Sequence, residues 1–289
     1  LRPSDTPYMS PMTTIAALTD RSVIKIAGEE ADPFLQNLIT CNISGLENGQ
    51  STFGGLLTPQ GKILFEFIVL KSGSGFLLDC SSTFAEDLSK RLMFYRLRAA
   101  VTIEHQDTDV FASWGESRPT DGQWFADPRS DKLGLRSYSN ANATNAELPD
   151  WHLHRITCGI PELGPDFDSA DIFPHDALYD QYDASGVDFS KGCYVGQEVV
   201  SRMHHRGTAR NRFVICRSAA GNDLPERATE ITAEGRKIGS IGSHAGSIGL
   251  AHVRWDRAES ARTSGQSITA AGIDLTLALP DFVDLGSPA

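Results

Sequence analysis

The sequence contains no apolar run of the roughly 18 residues that a membrane-crossing helix needs. It has no CxxC pair, and its five cysteines (Cys41, Cys80, Cys158, Cys193, Cys216) are odd in number and widely spaced. That pattern argues against a disulfide framework and for free thiols in a reducing compartment, the cytoplasm or an equivalent matrix. No P-loop is present and no Gly-x-Gly-x-x-Gly follows a strand-like run, so nucleotide hydrolysis lacks support; without a Gly-x-Ser-x-Gly elbow, so does serine esterase chemistry. Basic residues are in short supply: 26 Lys and Arg against 37 Asp and Glu leave a net charge of −11, which speaks against nucleic acid as a partner. The opening LRPSDTPYMSPM lacks the apolar core of a secretory signal, and Met9 or Met12 is the expected native start.

What is present reads as α+β. At 289 residues there is room for two domains. The run 22–28, SVIKIAG, is a strand, and Asp32-Pro33 predicts an N-cap with proline at the first helical position. Phe34, Leu35, Leu38 and Ile39 then give the apolar stripe of a short helix. Residues 62–70 and 76–80, separated by a Gly/Ser loop, form a hairpin, and Thr83 with Glu86 predicts a capping box at the next helix. Strands at 99–105 and 109–114 complete a mixed sandwich with helices on one face. Residues 115–150 read as a surface excursion, 151–158 as a helix stopped by Gly159-Ile160-Pro161, and 164–190 as a long irregular segment of the kind that usually binds something. From about residue 211 short β-type runs alternate with glycine, the pattern of a small antiparallel barrel, and the tail from Asp281 reads as frayed.

The chemistry concentrates in residues 191–198, KGCYVGQE. Gly192 and Gly196 flank Cys193 and suit close backbone approach or positive φ. Lys191 and the basic stretch Arg202–Arg212 favour the thiolate, the form in which a cysteine is a nucleophile or a ligand. Gln197 and Glu198 offer an amide and a carboxylate to a heteroaromatic ring, and Asp180 and Gln181 offer the same from the opposite wall. Glu198 equally suits a first-turn acid that favours the helix dipole. His204 and His205 are adjacent and share no helix face, so with one cysteine they do not make the spacing of a closed metal site.

The octapeptide, preceded by GVDF and followed by a basic Arg-Gly segment, resembles the signature of the YgfZ family, folate-binding proteins of iron–sulfur cluster assembly and repair. The similarity extends over SVIKIAGEEADPFLQNLITCNIS, QGKILFEFIVL, FADPRSDKLGLR, CGIPEL and EGRKIGSIGSHAGSIGLAHVR, about residues 20 to 285. It implies an aminomethyltransferase (T-protein)-like fold: α+β lobes in a ring, residues 1–210 with the second lobe at roughly 50–140, closed by a C-terminal β-barrel over 211–289. By the same resemblance Cys193 is the functional thiol and Lys191 the motif lysine. Tyr194, Gln197, Glu198 and Arg202, with Asp180 and Gln181, are then expected to contact a tetrahydrofolate, and the partners are iron–sulfur client proteins. The alternative is a folate-dependent aminomethyltransferase. T-proteins carry paired aspartates in the first hairpin, where this chain has Phe65 and Glu66, and lack a cysteine in their version of the motif.

Overall fold

The computed structural model describes residues 13–140, 143–184, 186–207 and 209–285; the expected starts at Met9 and Met12 lie outside them. Their strands are β1 (Thr13–Ala17), β2 (Arg21–Ala27), β3 (Ser51–Leu57), β4 (Ile63–Ser72), β5 (Gly75–Ser81), β6 (Thr102–Gln106), β7 (Val110–Gly115), β8 (Phe125–Ala126), β9 (Leu135–Tyr138), β10 (Asn211–Ser218), β11 (Glu230–Ala233), β12 (Arg236–Ala245), β13 (Ile248–Arg254), β14 (Ile268–Ala270) and β15 (Ile273–Ala278). The α-helices are α1 (Ala31–Gln36), α2 (Ser82–Arg96), α3 (Leu148–Cys158), α4 (Gln197–Arg206) and α5 (Trp255–Thr263). None is long and apolar enough to cross a membrane.

The strands sort into a five-stranded sheet, β3-β4-β5-β2-β6, a four-stranded sheet, β1-β7-β9-β8, and a closed antiparallel barrel, β10-β13-β12-β11-β14-β15. The first two are not filled in chain order. Residues 51–106 join 21–27 in the first sheet, and 110–138 join 13–17 in the second, so the stretch of roughly 50–140 is divided between them.

The first sheet is apolar on both faces, which is why its hairpin reads as an unbroken apolar run rather than an alternation. Ile24, Phe67, Val69 and Leu78 meet Leu35 of α1 and Leu88 and Leu92 of α2 on one side. Val23, Phe53 and Ile68 face the other way, into a core shared with Trp151 of α3, with Tyr179, Tyr182 and Tyr194, and with Phe213 and Leu250 of the barrel. Residues 160–184 and 186–196 run without helix or extended strand through this shared core. All three lobes therefore pack on one irregular segment.

Several local expectations are corrected. Strands β1 and β3 were not legible; β3 hides behind Gly54-Gly55. The N-cap of α1 is Glu30, so Pro33 sits inside the first turn rather than opening it. Helix α2 starts at Ser82 after Ser81, whose side chain makes no capping hydrogen bond, so the Thr83–Glu86 box does not form the cap. The 115–150 stretch supplies β8 and β9 and buries Asp127, Arg129, Ser130 and Arg136. The tail is tied down as far as it is described: Phe282 and Val283 pack on the shared core, and Asp284 N–H donates to Gln181 Oε1 at 3.0 Å.

Candidate functional site

Two glycines set the octapeptide on the first lobe. Gly196 has φ 81° and caps α4; a Cβ there would lie 2.5 Å from the Thr58 carbonyl oxygen. Gly61, φ 81°, in the turn before β4, would carry a Cβ 3.0 Å from Val199. The two backbones interlock as only glycines allow. Gly192 differs: a Cβ there would meet open space, so its role is not steric.

Lys191 is buried, and its ammonium donates to the carbonyls of Ile39 (2.8 Å) and Cys41 (2.7 Å), beyond the end of α1. Burial lowers its pKa to about 8, an effect opposed by the neighbouring Cys41 and Asp188. The lysine thus pins the motif to the first lobe, and the thiol its charge meets is Cys41, itself pushed up to about 12 by burial. Asp188 completes the turn by accepting from Ser190 N–H (2.7 Å) and Lys191 N–H (3.0 Å). Of the five cysteines, Cys193 alone is exposed; Cys41, Cys80 and Cys216 are buried and Cys158 half-buried. Tyr194 turns inward, its ring 5.6 Å from the Lys191 ammonium, and its buried hydroxyl has no hydrogen-bond partner. Gln197 is half-buried at the start of α4. Glu198 and Arg202 form an ion pair on the exposed side of α4 and face solvent.

Beneath the motif lies a group of buried polar atoms that lack partners. Both ring nitrogens of His175, at 2% exposure, lack hydrogen bonds, as do the shielded atoms Asp180 Oδ1, Arg212 Nε and His252 Nε2, the last lying 3.9 Å from Asp176 Oδ2. Elements from the irregular segment, α4 and the barrel bring them together. His175 lies 5.8 Å from Phe189 and 6.1 Å from His204, centroid to centroid, and Phe189 stacks on His204 at 3.8 Å. Phe213 stacks on His252 at 5.2 Å and its N–H donates to the Asp176 carbonyl at 2.9 Å. Burial lowers His175 and His252 to about 4 and raises Asp176 to about 6. Gln181 donates to Asp180 Oδ2 at 3.2 Å. Buried polar groups are ordinarily hydrogen-bonded, so a set of orphaned donors and acceptors beside stacked rings fits a flat heteroaromatic ligand that carries both. His175 and His252 were missed from the sequence: the length of the irregular segment pointed only towards His175, and Arg212 was noted only as the end of the basic stretch.

Glu66, the residue at the position of the T-protein acids, is buried. Its Oε1 accepts from Leu163 N–H and its Oε2 from the Tyr179 hydroxyl, both at 2.7 Å. Burial, with Glu162 nearby, raises it to about 6. Among the described residues no three His, Cys, Asp or Glu side chains converge as a metal-ligand set.

Two α+β sheets and a closed barrel around one irregular segment define an aminomethyltransferase-type architecture. It is similar to the crystal structure of glycine cleavage system aminomethyltransferase T from Bartonella henselae, with TM-score 0.75 at 16% identity over 94% of this chain and 86% of that one. Residues 210–285 match the family described as CAF17, C-terminal beta-barrel domain. A mitochondrial iron–sulfur cluster assembly factor IBA57 homologue of Pyricularia oryzae is 30% identical over 278 residues, 82% of this chain and 71% of its own. The Neurospora crassa homologue is 30% identical over 235 residues, 70% of this chain, which spans about half (53%) of that relative's length. The chain belongs to the family of the iron–sulfur cluster assembly factor IBA57.

Proposed function

We propose that this protein is a tetrahydrofolate-binding accessory factor for the assembly or repair of iron–sulfur clusters in client proteins, acting in the manner of the YgfZ family. The observation that carries the reading is the pairing of one exposed thiol, Cys193, with an inward neighbour, Tyr194, whose hydroxyl is buried and unpartnered. The orphaned polar atoms of His175, Asp180, Arg212 and His252 hold the ligand, and Gln197 and Gln181 flank them. When bound, tetrahydrofolate supplies a reduced ring able to carry a one-carbon group. Cys193 supplies a thiolate to a cluster or to a client, Lys191 fixes the turn that presents it, and the Glu198–Arg202 pair orients α4 on the solvent side. The relatives are named as mitochondrial proteins, and a mitochondrial matrix or a cytoplasm suits free thiols equally.

Ordinary aminomethyl transfer is disfavoured because both oxygens of Glu66 are already committed to structural hydrogen bonds. The test combines fluorescence titration with tetrahydrofolate and complementation by Cys193→Ala in cells lacking the protein. Saturable binding is expected, together with loss of iron–sulfur enzyme activity in the variant at unchanged melting temperature. Absence of folate binding, or full rescue by the alanine variant, would overturn the reading.

A further inference from the structure

Helix α2 buries Ala85, Leu88, Ser89 and Leu92 on the first lobe, yet its last turn exposes Met93, Phe94 and Leu97 at 48%, 71% and 84%. These are three of the five large exposed hydrophobics among the described residues. Beside them lies a groove of about 540 Å³ lined by Phe65, Phe84, Phe94, Asp87, Lys90 and Arg91. Its rim carries an excess of cations over Glu86 and Asp87. Lys90, Arg91, Arg96 and Arg98 fall within nine residues of a chain whose net charge is −11. Lys90 is paired with Glu86 at 3.3 Å and with Asp87 at 3.7 Å, and Arg96 reaches the Val101 carbonyl at 3.5 Å, whereas Arg91 and Arg98 have no ion-pair partner among the described residues.

The end of α2 adds an independent sign. Helices α3 and α4 stop on left-handed glycines, Gly159 (φ 80°) and Gly207 (φ 57°). Helix α2 stops on Leu97, at φ 48° and ψ −103°, a conformation that costs an L-residue on the order of 1–3 kcal/mol. Glycine there would relieve the strain. A leucine held strained and exposed has its side chain presented at that spot at the expense of stability, which marks a surface used for contact.

We infer that the C-terminal turn of α2 and its groove form a docking site for an acidic amphipathic helix of a partner protein, its apolar side chains entering the groove and its carboxylates meeting Arg91 and Arg98. Charge selects this occupant. Symmetric pairing of two copies would set an excess of cations against itself, with Glu86 and Asp87 already paired to Lys90. A bilayer offers a flat face to a concave groove, where a helix fits. A helix laid in a groove, anchored by residues at i, i+3, i+4 and i+7, suits both shape and charge. The groove lies on the same lobe as the motif: the turn at Gly61, which packs on Gly196 and Val199, leads into β4, whose Leu64 and Phe65 line the groove. A docked partner therefore sits on the lobe that carries Cys193, whether or not a folate is bound.

The probe is a fluorescein-labelled peptide of about five helical turns, Leu and Phe at i, i+3, i+4 and i+7 with Glu elsewhere, titrated by anisotropy against the full chain. Saturable, salt-sensitive binding is expected, weakened at least tenfold by Phe94→Ser and by the Arg91→Glu/Arg98→Glu pair at unchanged melting temperature. Leu97→Gly is expected to raise the melting temperature while weakening binding, a combination that a purely structural leucine does not give. The proposal is overturned if a Lys-for-Glu peptide binds as well, or if the variants bind as the parent does. It is also overturned if Phe94→Ser instead abolishes a self-dimer seen by light scattering, or if phosphatidylserine vesicles displace the acidic peptide.

Discussion

Two buried polar clusters lie within this molecule, and they differ in one respect. In the first, charges are matched. Arg129 binds Asp127 through Nε and a terminal nitrogen at 3.0 and 2.9 Å and Glu162 at 2.9 Å; Arg155 joins Glu162 (3.2 Å) to Asp166 (2.7 Å) and donates to Ser243 of the barrel (2.9 Å). Arg21 binds Asp79 at 2.6 Å, and Arg136 binds Asp127 at 3.1 Å. Four guanidiniums and four carboxylates thus clasp both sheets, the irregular segment and the barrel. The terminal nitrogens of Arg136 alone lack hydrogen bonds, with Asp79 at 3.6 Å and the Trp151 ring at 4.7 Å as neighbours. In the second cluster, around His175, the polar atoms are shielded from solvent, though Asp180 and His252 are half-buried as residues, and most are unpaired. Unequal satisfaction of shielded polar atoms separates a clasp, complete in itself, from the proposed ligand site.

The widest separation between the two is expected from Arg129→Met. It leaves Asp127 with Arg136 alone and Glu162 with Arg155 alone, although the surrounding arginines hold both pKa values down against burial (Asp127 to about 2), and is expected to cost about 3–5 kcal/mol in urea unfolding. Tyr179→Phe is the milder form: it removes the donor to Glu66 Oε2 at 2.7 Å and is expected to cost about 1–3 kcal/mol without changing folate affinity. A loss below about 1 kcal/mol for Arg129→Met would dissolve the distinction.

The sequence was legible where burial is local and periodic. The β4–β5 hairpin showed itself because both faces of its sheet are covered, and the barrel because glycine turns punctuate short strands. The clasp was hidden: Asp127 and Arg129 look like a polar turn until Glu162, 33 residues on, closes over them. The motif was legible as a place but not as an orientation. Nothing in KGCY tells that Lys191 turns to the carbonyls of residues 39 and 41, since that contact spans about 150 residues. The orphaned cluster was hidden for the same reason, with His175, Arg212 and His252 drawn from separate elements. Long-range pairing of polar groups leaves no local pattern.

Acid separates the clusters more gently. His175 and His252 titrate near 4 in the fold against about 6.5 when unfolded, so between those values the unfolded chain binds more protons and their contribution weakens as pH falls. Asp176 and Glu66, both raised to about 6, act in the opposite sense below that pH, since there the folded chain takes up the protons first. His175→Phe removes one histidine from this balance. The difference in unfolding free energy between variant and parent is expected to grow in the variant's favour from pH 6.5 to 4, by up to about 1.4 kcal/mol per pH unit. Parallel pH profiles for the two proteins would mean that His175 meets solvent or a partner in the ligand-free fold.

The smallest change in stability is expected from Tyr194→Phe, and it is the sharpest comparison with Tyr179→Phe. Both remove one buried hydroxyl beside a carboxylate-rich segment. The Tyr179 hydroxyl already donates to Glu66, while that of Tyr194 donates to nothing. Deleting an unpartnered hydroxyl removes a desolvated group and no bond, so the free protein is expected to melt within about 0.5 kcal/mol of the parent, or slightly above it. If the hydroxyl is held for a ligand, the same deletion weakens tetrahydrofolate binding about three- to tenfold, the worth of one hydrogen bond. Stability lost with affinity kept would transfer Tyr194 to the clasp; affinity lost with stability kept assigns it to the site, because only a bond made in the complex can be missed there and not in the free fold.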